Sequence, residues 1–382
     1  MMRRNLLRAV RLLCLLLVLA ISIGLLQENV FYHADHNRER IKGFYLEDNQ
    51  SLDVVYLGAS EVYSDIAPGY AYARDGITGY LFATQANTIL NYKSQLKNIL
   101  SRQKPALVVI ELNGALYDEE DLTKEANLRN YSDNVPLDFT KIEWVAENVK
   151  ENQPEYLFPF IKYHSMWSDP ETDNETDEKY RKTISDDKGR GYNYLKGILN
   201  WTVSFKSPLP SMNNTLATAD GKKPLEEIAE KSLRDLLEYC RSEGLDNVVF
   251  TRFPHIVTER TYSRFERNNT VADIVAEYGY DYLNFERDFA QTGLDESTDF
   301  YNFDHLNVYG QKKFTAYLTD YLKEHYGLSS HTLSEAQKDE WDACADYYDA
   351  YVRYNESMIE NGKPMELSED CELIDALAEY LP

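Results

Sequence analysis

The feature that most constrains the fold is a pair of continuous apolar runs, Val54-Val55-Tyr56-Leu57 and Pro105-Ala106-Leu107-Val108-Val109-Ile110. Neither run alternates apolar with polar residues. A strand without a polar face needs cover on both sides, which is the condition of a parallel sheet. Parallel neighbours cannot be joined by a tight turn, so a crossover must lie between them. The chain supplies one at 88–100, where Ile89, Tyr92, Leu96, Ile99 and Leu100 recur at helical spacing. That βαβ unit puts the chain in the α/β class.

The alternation returns further on. Leu225, Ile228, Ala229, Leu233, Leu236, Leu237 and Cys240 line one face of a predicted helix, and Gly244 stands where it should stop. Residues 247–251 read as a third strand. A helix is expected through 270–278, another strand at 281–284 and a last helix after Gly310. Residues 115–222 interrupt the pattern with a polar, tyrosine-rich segment. An insertion after a strand's carboxyl end is expected to hang over the ligand crevice. Its aromatic stretch at 156–167 is the candidate substrate surface. The organisation read here is an anchor at 1–30, an α/β domain at 31–330 with insertion 115–222, and an acidic helical tail at 331–382.

Arg3, Arg4, Arg8 and Arg11 precede an uncharged stretch from Leu12 to Leu26. A basic flank before an apolar run is the pattern of a signal peptide or a signal anchor. The run is short beside the ~20 apolar residues of a usual span. Ala9 and Val10 extend it, and the arginines can snorkel. No small-x-small site follows Leu26, which favours an uncleaved single-pass anchor in the cell membrane. The arginine excess then holds the N-terminus inside and puts the rest of the chain outside the cytoplasmic membrane. A net charge of -24 argues against nucleic acid as a partner. Cysteine spacing resembles no zinc site, and Cys344 and Cys371 could form a disulfide. No metal or organic cofactor is expected.

Two segments could carry chemistry. Gly58-Ala59-Ser60 ends the first apolar run, and ligands of open parallel sheets bind beyond the carboxyl ends of strands. The competing reading is a serine that forms a turn or caps a helix. Near the other end stands Asp299-Phe300-Tyr301-Asn302-Phe303-Asp304-His305-Leu306-Asn307-Val308-Tyr309-Gly310. His305 there could take a proton from Ser60 as general base. The competing reading has Asp304 or Asn307 capping the last helix, with His305 packed against it.

A Gly-x-Ser turn after the first strand, paired with His305-Leu306-Asn307-x-x-Gly310 opening the last helix, resembles the SGNH/GDSL hydrolase superfamily. It is especially similar to anchored cell-envelope members from Gram-positive bacteria. Residues 158–167 and 247–254 fit the same group, and the resemblance spans about 50–325. It implies a three-layer α/β/α sandwich with a mainly parallel sheet, Ser60 as nucleophile and His305 as base. It also implies an oxyanion hole built from the serine's own N–H, a glycine and an asparagine. Asn113 matches the asparagine. The glycine block falls at Thr84-Gln85-Ala86-Asn87, which holds no glycine and leaves Gln85 as its candidate.

The family's acid stands three positions before the histidine, and here that is Asn302. An amide cannot stabilise imidazolium as a carboxylate does, and in a serine triad it favours the wrong tautomer. Asp304 and Asp299 are the carboxylates at hand, and a Ser-His dyad is the other arrangement. His164, on the aromatic segment, is expected to be a packed or substrate-contacting residue rather than a base. Gly58-Ala59-Ser60-Glu61 also looks like the anchored proteins that serve D-alanylation of teichoic acids. The expected function is an extracytoplasmic SGNH-type esterase or O-acyltransferase. Its partner would be an acylated envelope polysaccharide or a teichoic-acid-like polymer. The alternative is a catalytically degenerate SGNH domain that binds glycan or an envelope partner.

Overall fold

The computed structural model describes residues 2–29, 36–163, 194–200 and 205–361. The chain opens with α1 (Met2–Asn29) and α2 (His36–Leu46). Then come β1 (Val54–Gly58), α3 (Ser60–Asp65), α4 (Pro68–Asp75), β2 (Gly79–Ala83), α5 (Ile89–Arg102) and β3 (Leu107–Glu111). Short helices lead to α6 (Phe139–Asn148). The alternation resumes with α7 (Glu227–Ser242), β4 (Val248–Arg252), α8 (Tyr262–Glu277) and β5 (Tyr282–Asn284). It ends with α9 (Val308–Tyr326) and α10 (Glu335–Glu360).

The five strands form one all-parallel sheet in the order β2-β1-β3-β4-β5. Successive side chains point to opposite faces, and both faces are apolar. Val55, Leu57, Phe82, Val108, Ile110 and Phe250 join one buried cluster with α5 and α7. Val54, Tyr56, Leu81, Val109 and Val249 join another with Phe314 and Leu318 of α9 and Tyr351 of α10. The order reverses at β1, since β2 lies to one side and β3 to the other. The crevice beyond the carboxyl ends of β1 and β3 is where such a sheet binds ligands. Ser60 and Asn113 follow those two strands.

The strand β2 is absent from the sequence reading. Its run Tyr80-Leu81-Phe82-Ala83 is short and buried on both faces, so no alternation marks it. Within the acidic C-terminal segment, Glu335–Glu360 form α10, which is part of the core. Trp341, Cys344, Tyr348 and Tyr351 are buried. A methyl on Gly69 of α4 would stand 2.9 Å from the Cys344 carbonyl oxygen, so the two helices approach backbone to backbone there. Cys371 lies outside the described residues.

The first part of the insertion packs against α5. Trp144 of α6 donates Nε1–H to the Leu90 carbonyl at 3.1 Å. Tyr131 Oη bonds Ser94 at 2.6 Å and Asn98 at 2.8 Å. Within the aromatic stretch, Tyr156 is buried between Trp144 and the Arg129 guanidinium rather than displayed to a ligand. Residues 194–200 run beside β2, where Leu81 N–H donates to the Lys196 carbonyl at 3.1 Å. Asn200 Nδ2 ties Ser64 and Leu306 together, at 2.8 Å from each carbonyl.

Residues 4–24 of α1 form a helix long and apolar enough to cross a membrane. At 1.5 Å per residue, 21 residues rise about 31 Å, close to the ~30 Å hydrocarbon layer. None of that window is buried inside the protein.

Candidate active site

Ser60 opens α3 directly after the turn from β1. Gly58 is required there by space. A Cβ on it would stand 2.6 Å from Val62 Cγ2 and 3.0 Å from Glu111 Cβ. The first position of a helix leaves its N–H without an intrahelical acceptor, so the Ser60 amide is a donor on the same residue as the hydroxyl.

The opposite side of the site comes from the loop before α9. Asn307 caps that helix, its Oδ1 accepting from Tyr309 N–H at 3.0 Å and Gly310 N–H at 3.2 Å. Its own N–H donates to the Asp299 carbonyl at 2.9 Å. A Cβ on Gly310 would fall 2.2 Å from that same carbonyl oxygen, so only glycine fits. The loop is thereby fixed, and with it His305.

His305 Nε2 lies 2.7 Å from Ser60 Oγ, across 245 positions of sequence. His305 Nδ1 lies 3.0 Å from Asn302 Oδ1. The Asp304 backbone N–H donates to that same oxygen at 2.8 Å. An N–H donor pins the amide with its oxygen toward the ring, so Nδ1 carries the proton and Nε2 offers its lone pair to the serine. The wrong tautomer expected of an Asn in the acid position is excluded by this backbone clamp. What Asn302 still lacks is charge. Tyr301 lies flat on the imidazole, with centroids 5.2 Å apart and planes 2° from parallel. Its hydroxyl is 3.2 Å from Ser64 Oγ on α3.

The other carboxylates considered for the acid are elsewhere. Asp304 faces Arg264 Nη1 at 3.9 Å and gives the ring's neighbour only its backbone N–H. Asp299 is buried, with its carboxylate on Lys313 Nζ at 2.7 Å and on Asp295 N–H at 2.8 Å. Gln85 is exposed and is held through its backbone, by Asn37 Oδ1 at 2.7 Å and Asn130 Nδ2 at 2.9 Å. The residue of that block that reaches the serine turn is Asn87, whose Nδ2 donates to the Gly58 carbonyl at 2.8 Å. Asn113 comes to the site, but its amide is committed: Nδ2 donates to Glu61 Oε1 and to Tyr117 Oη. Its oxyanion role is therefore not available in this arrangement. His164 lies outside the described residues.

Beneath the serine lies a buried polar cluster that the motifs did not announce. Arg252, at the end of β4, donates to Asn113 Oδ1 at 2.7 Å, Glu286 at 2.9 Å and Glu111 at 3.2 Å. His255 Nδ1 donates to the Phe253 carbonyl at 2.7 Å, and its Nε2 faces Glu61 Oε1 at 3.5 Å. Asp65 Oδ1 accepts from Leu306 N–H at 2.8 Å. Burial raises Glu61, Glu111 and Asp65, yet their environments differ. Glu61 is brought down to about 2, because His255, His305 and Arg252 outweigh its burial. Glu111 is pushed up to about 7 by burial and by the charge of Glu61. Asp65 is pushed well up by burial, against its bond from Leu306 and with the charges of Glu61 and Glu111 behind it. Of these three, Glu61 is thus the carboxyl driven toward its charged form.

Burial lowers the affinity of His305 for a proton; Glu61 and then Asp304 oppose that shift, while His255 and Arg252 add to it. A neutral imidazole at working pH is the form a general base needs. Sequence signals for the cluster existed in Glu111 and Arg252, each a charge ending an apolar strand, and in Tyr301 four positions before His305. Among the described residues, no group of His, Cys, Asp and Glu is arranged to hold a metal ion. No protein-family model matches the chain, and no curated protein matches its sequence.

Proposed function

We propose that the protein is an SGNH-type serine esterase or O-acyltransferase, held at the outer face of the cytoplasmic membrane by α1. The observation that carries the reading is the aligned Ser60–His305–Asn302 set, with 2.7 Å and 3.0 Å contacts and the tautomer fixed from behind. The fold that goes with it is a three-layer α/β/α arrangement, supported by apolar clusters on both faces of a parallel sheet. The membrane anchor is supported by the length and apolar composition of α1.

The chemistry follows from the contacts. Ser60 Oγ bonds to the ester carbonyl carbon as its proton passes to His305 Nε2. The carbonyl π pair moves onto oxygen, where the Ser60 N–H can donate. The alcohol then leaves with the proton from Nε2, and the acyl group stays on Ser60. Water or a polymer hydroxyl gives its proton to the same nitrogen and attacks the acyl carbon, and the bond to Ser60 Oγ breaks as Oγ takes that proton back from Nε2. The substrate class is an O-acylated envelope polysaccharide or teichoic-acid-like polymer, a reading supported by the apolar helix α1, which would hold the domain beside the envelope.

The test is incubation of the full chain in detergent with O-acylated envelope polymers. The reading expects a new acyl mass on the tryptic peptide of Ser60 and release or transfer of the acyl group, both lost in Ser60→Ala. Binding of the polymer with neither acylation nor turnover would favour the degenerate, glycan-binding domain instead, with the amide of Asn302 as its cause.

A further inference from the structure

We infer that Glu61 is the positioning residue that supplies this site with the negative charge Asn302 lacks, so that orientation and charge compensation of His305 are divided between two residues. The inference rests on Ser60 and His305 being a working nucleophile and base. In the usual triad one carboxylate does both tasks: it fixes the imidazole tautomer and stabilises the imidazolium formed when the serine gives up its proton. Here the first task is done by Asn302 and the Asp304 N–H. A neutral amide cannot do the second.

Glu61 is placed for it. It is the residue after the nucleophile, on a helix whose first turn also carries the hydroxyl facing His305. Its side chain is 1% exposed. Oε1 is held by Asn113 Nδ2 and faced by His255 Nε2 at 3.5 Å, which leaves the carboxylate short of full neutralisation. Oε2 is buried and has no hydrogen-bond partner among the described residues. A buried carboxylate oxygen left bare is costly, and the cost is explained if the charge is wanted. Burial also makes that charge act at short range with little screening. The mutual influence of Glu61 and His305 on each other's protonation, each favouring the other's charged form, agrees with the placement.

The other groups that bear on His305 cannot substitute. Asp304 is directed toward Arg264. Asp65 is held by Leu306 N–H and is pushed toward its neutral form. Arg252 and His255 work in the opposite direction. Tyr301 stacks on the ring and adds no charge.

The experiment is the rate of fluorophosphonate labelling of the full chain in detergent, across pH, in four proteins: wild type, Glu61→Gln, Asn302→Asp, and the double variant. Glu61→Gln is expected to slow labelling about 10- to 100-fold. Its acidic limb should move to lower pH, since removing the carboxylate makes His305 harder to protonate. Restoring a carboxylate with Asn302→Asp in that background should recover most of the rate and move the limb back up. In wild type, where the charge is already present, Asn302→Asp should gain less than about threefold. Glu61→Gln labelling at the wild-type rate overturns the inference while leaving Ser60 and His305 intact. So does a slow Glu61→Gln that Asn302→Asp fails to rescue, because loss of packing would behave that way. Should Glu61→Gln not fold, a gain of about 30-fold or more from Asn302→Asp alone overturns it equally. Wild type that never labels removes the nucleophile reading, and this inference with it.

Discussion

Two buried ionic clusters stand on opposite sides of β1, and they are built differently. Lys196, beside β2, is fully buried and places Nζ 2.7 and 2.8 Å from the two oxygens of Glu47. Glu340 approaches at 3.6 Å, and the Trp341 ring covers the ammonium at 4.5 Å. Both oxygens of Glu47 are satisfied. The cluster below Ser60 gathers Glu61, Glu111, Glu286 and Asp65 around Arg252 and His255, with Glu61 Oε2 and Asp65 Oδ2 lacking a hydrogen bond among the described residues. Acid is in excess there. A cluster whose central carboxylate is hydrogen-bonded through both oxygens secures a loop to a sheet edge, whereas perturbed, incompletely satisfied carboxyls beside a nucleophile are the pattern of a tuned site.

The comparison can be broken by removing each cation. Arg252→Met strands several carboxylates and is expected to cost about 3–5 kcal/mol of unfolding free energy, as for any broken buried pair. Lys196→Met should cost a similar amount, measured by urea unfolding. The difference lies in repair and in reactivity. Adding Glu47→Leu to Lys196→Met should restore most of the stability, since an apolar replacement of a buried pair is often neutral. Serine labelling per folded molecule should stay at wild type in that pair and fall in Arg252→Met. Equal effects on labelling from both sides would erase the distinction.

A second, smaller effect concerns the turn. Gly58→Ala forces a methyl against Val62 and Glu111, at an expected cost of about 1–3 kcal/mol. Because the strain falls on the turn that aims Ser60, labelling should slow as well. Tyr301→Ala removes the plate under the imidazole and should slow labelling about tenfold while melting the protein little; Tyr301→Phe, which keeps the plate, should recover most of the rate.

The smallest effect is in pH dependence. Glu111 is raised to about 7 in the folded state, so between its ordinary value and about 7 the native protein holds a proton the unfolded chain has lost. That contribution is fully present at low pH and fades as pH rises through about 7. Glu61, held at about 2, behaves the other way and loses its contribution only in strong acid. Glu111→Gln should therefore gain stability relative to wild type as pH rises from 5 to 8. Parallel stability profiles for the two proteins would contradict the cluster's assignment.

Much of the frame was legible in the sequence. Continuous apolar runs gave away β1, β3 and β4, since residues buried on both faces leave no other pattern. The pairing of Ser60 with His305 was legible from two short segments, and the geometry brings them together. Asn302 was found by position, but its effect depends on a backbone N–H that no residue type encodes. Asn113 was found too, and its role moved because Glu61 claims its amide. β2 was missed for want of length and alternation. Of the aromatic stretch read as a ligand surface, Tyr156 is buried, since exposure cannot be read from residue type, and residues 164–167 lie outside the described residues.

The most direct measurement is fluorophosphonate labelling of the full chain in detergent at pH 7 to 8, beside Ser60→Ala and His305→Ala. The account predicts covalent labelling of wild type at Ser60, none in Ser60→Ala, and a rate at least about 1,000-fold lower in His305→Ala. A folded wild-type protein that does not label, or a His305→Ala variant that labels as fast as wild type, would contradict it.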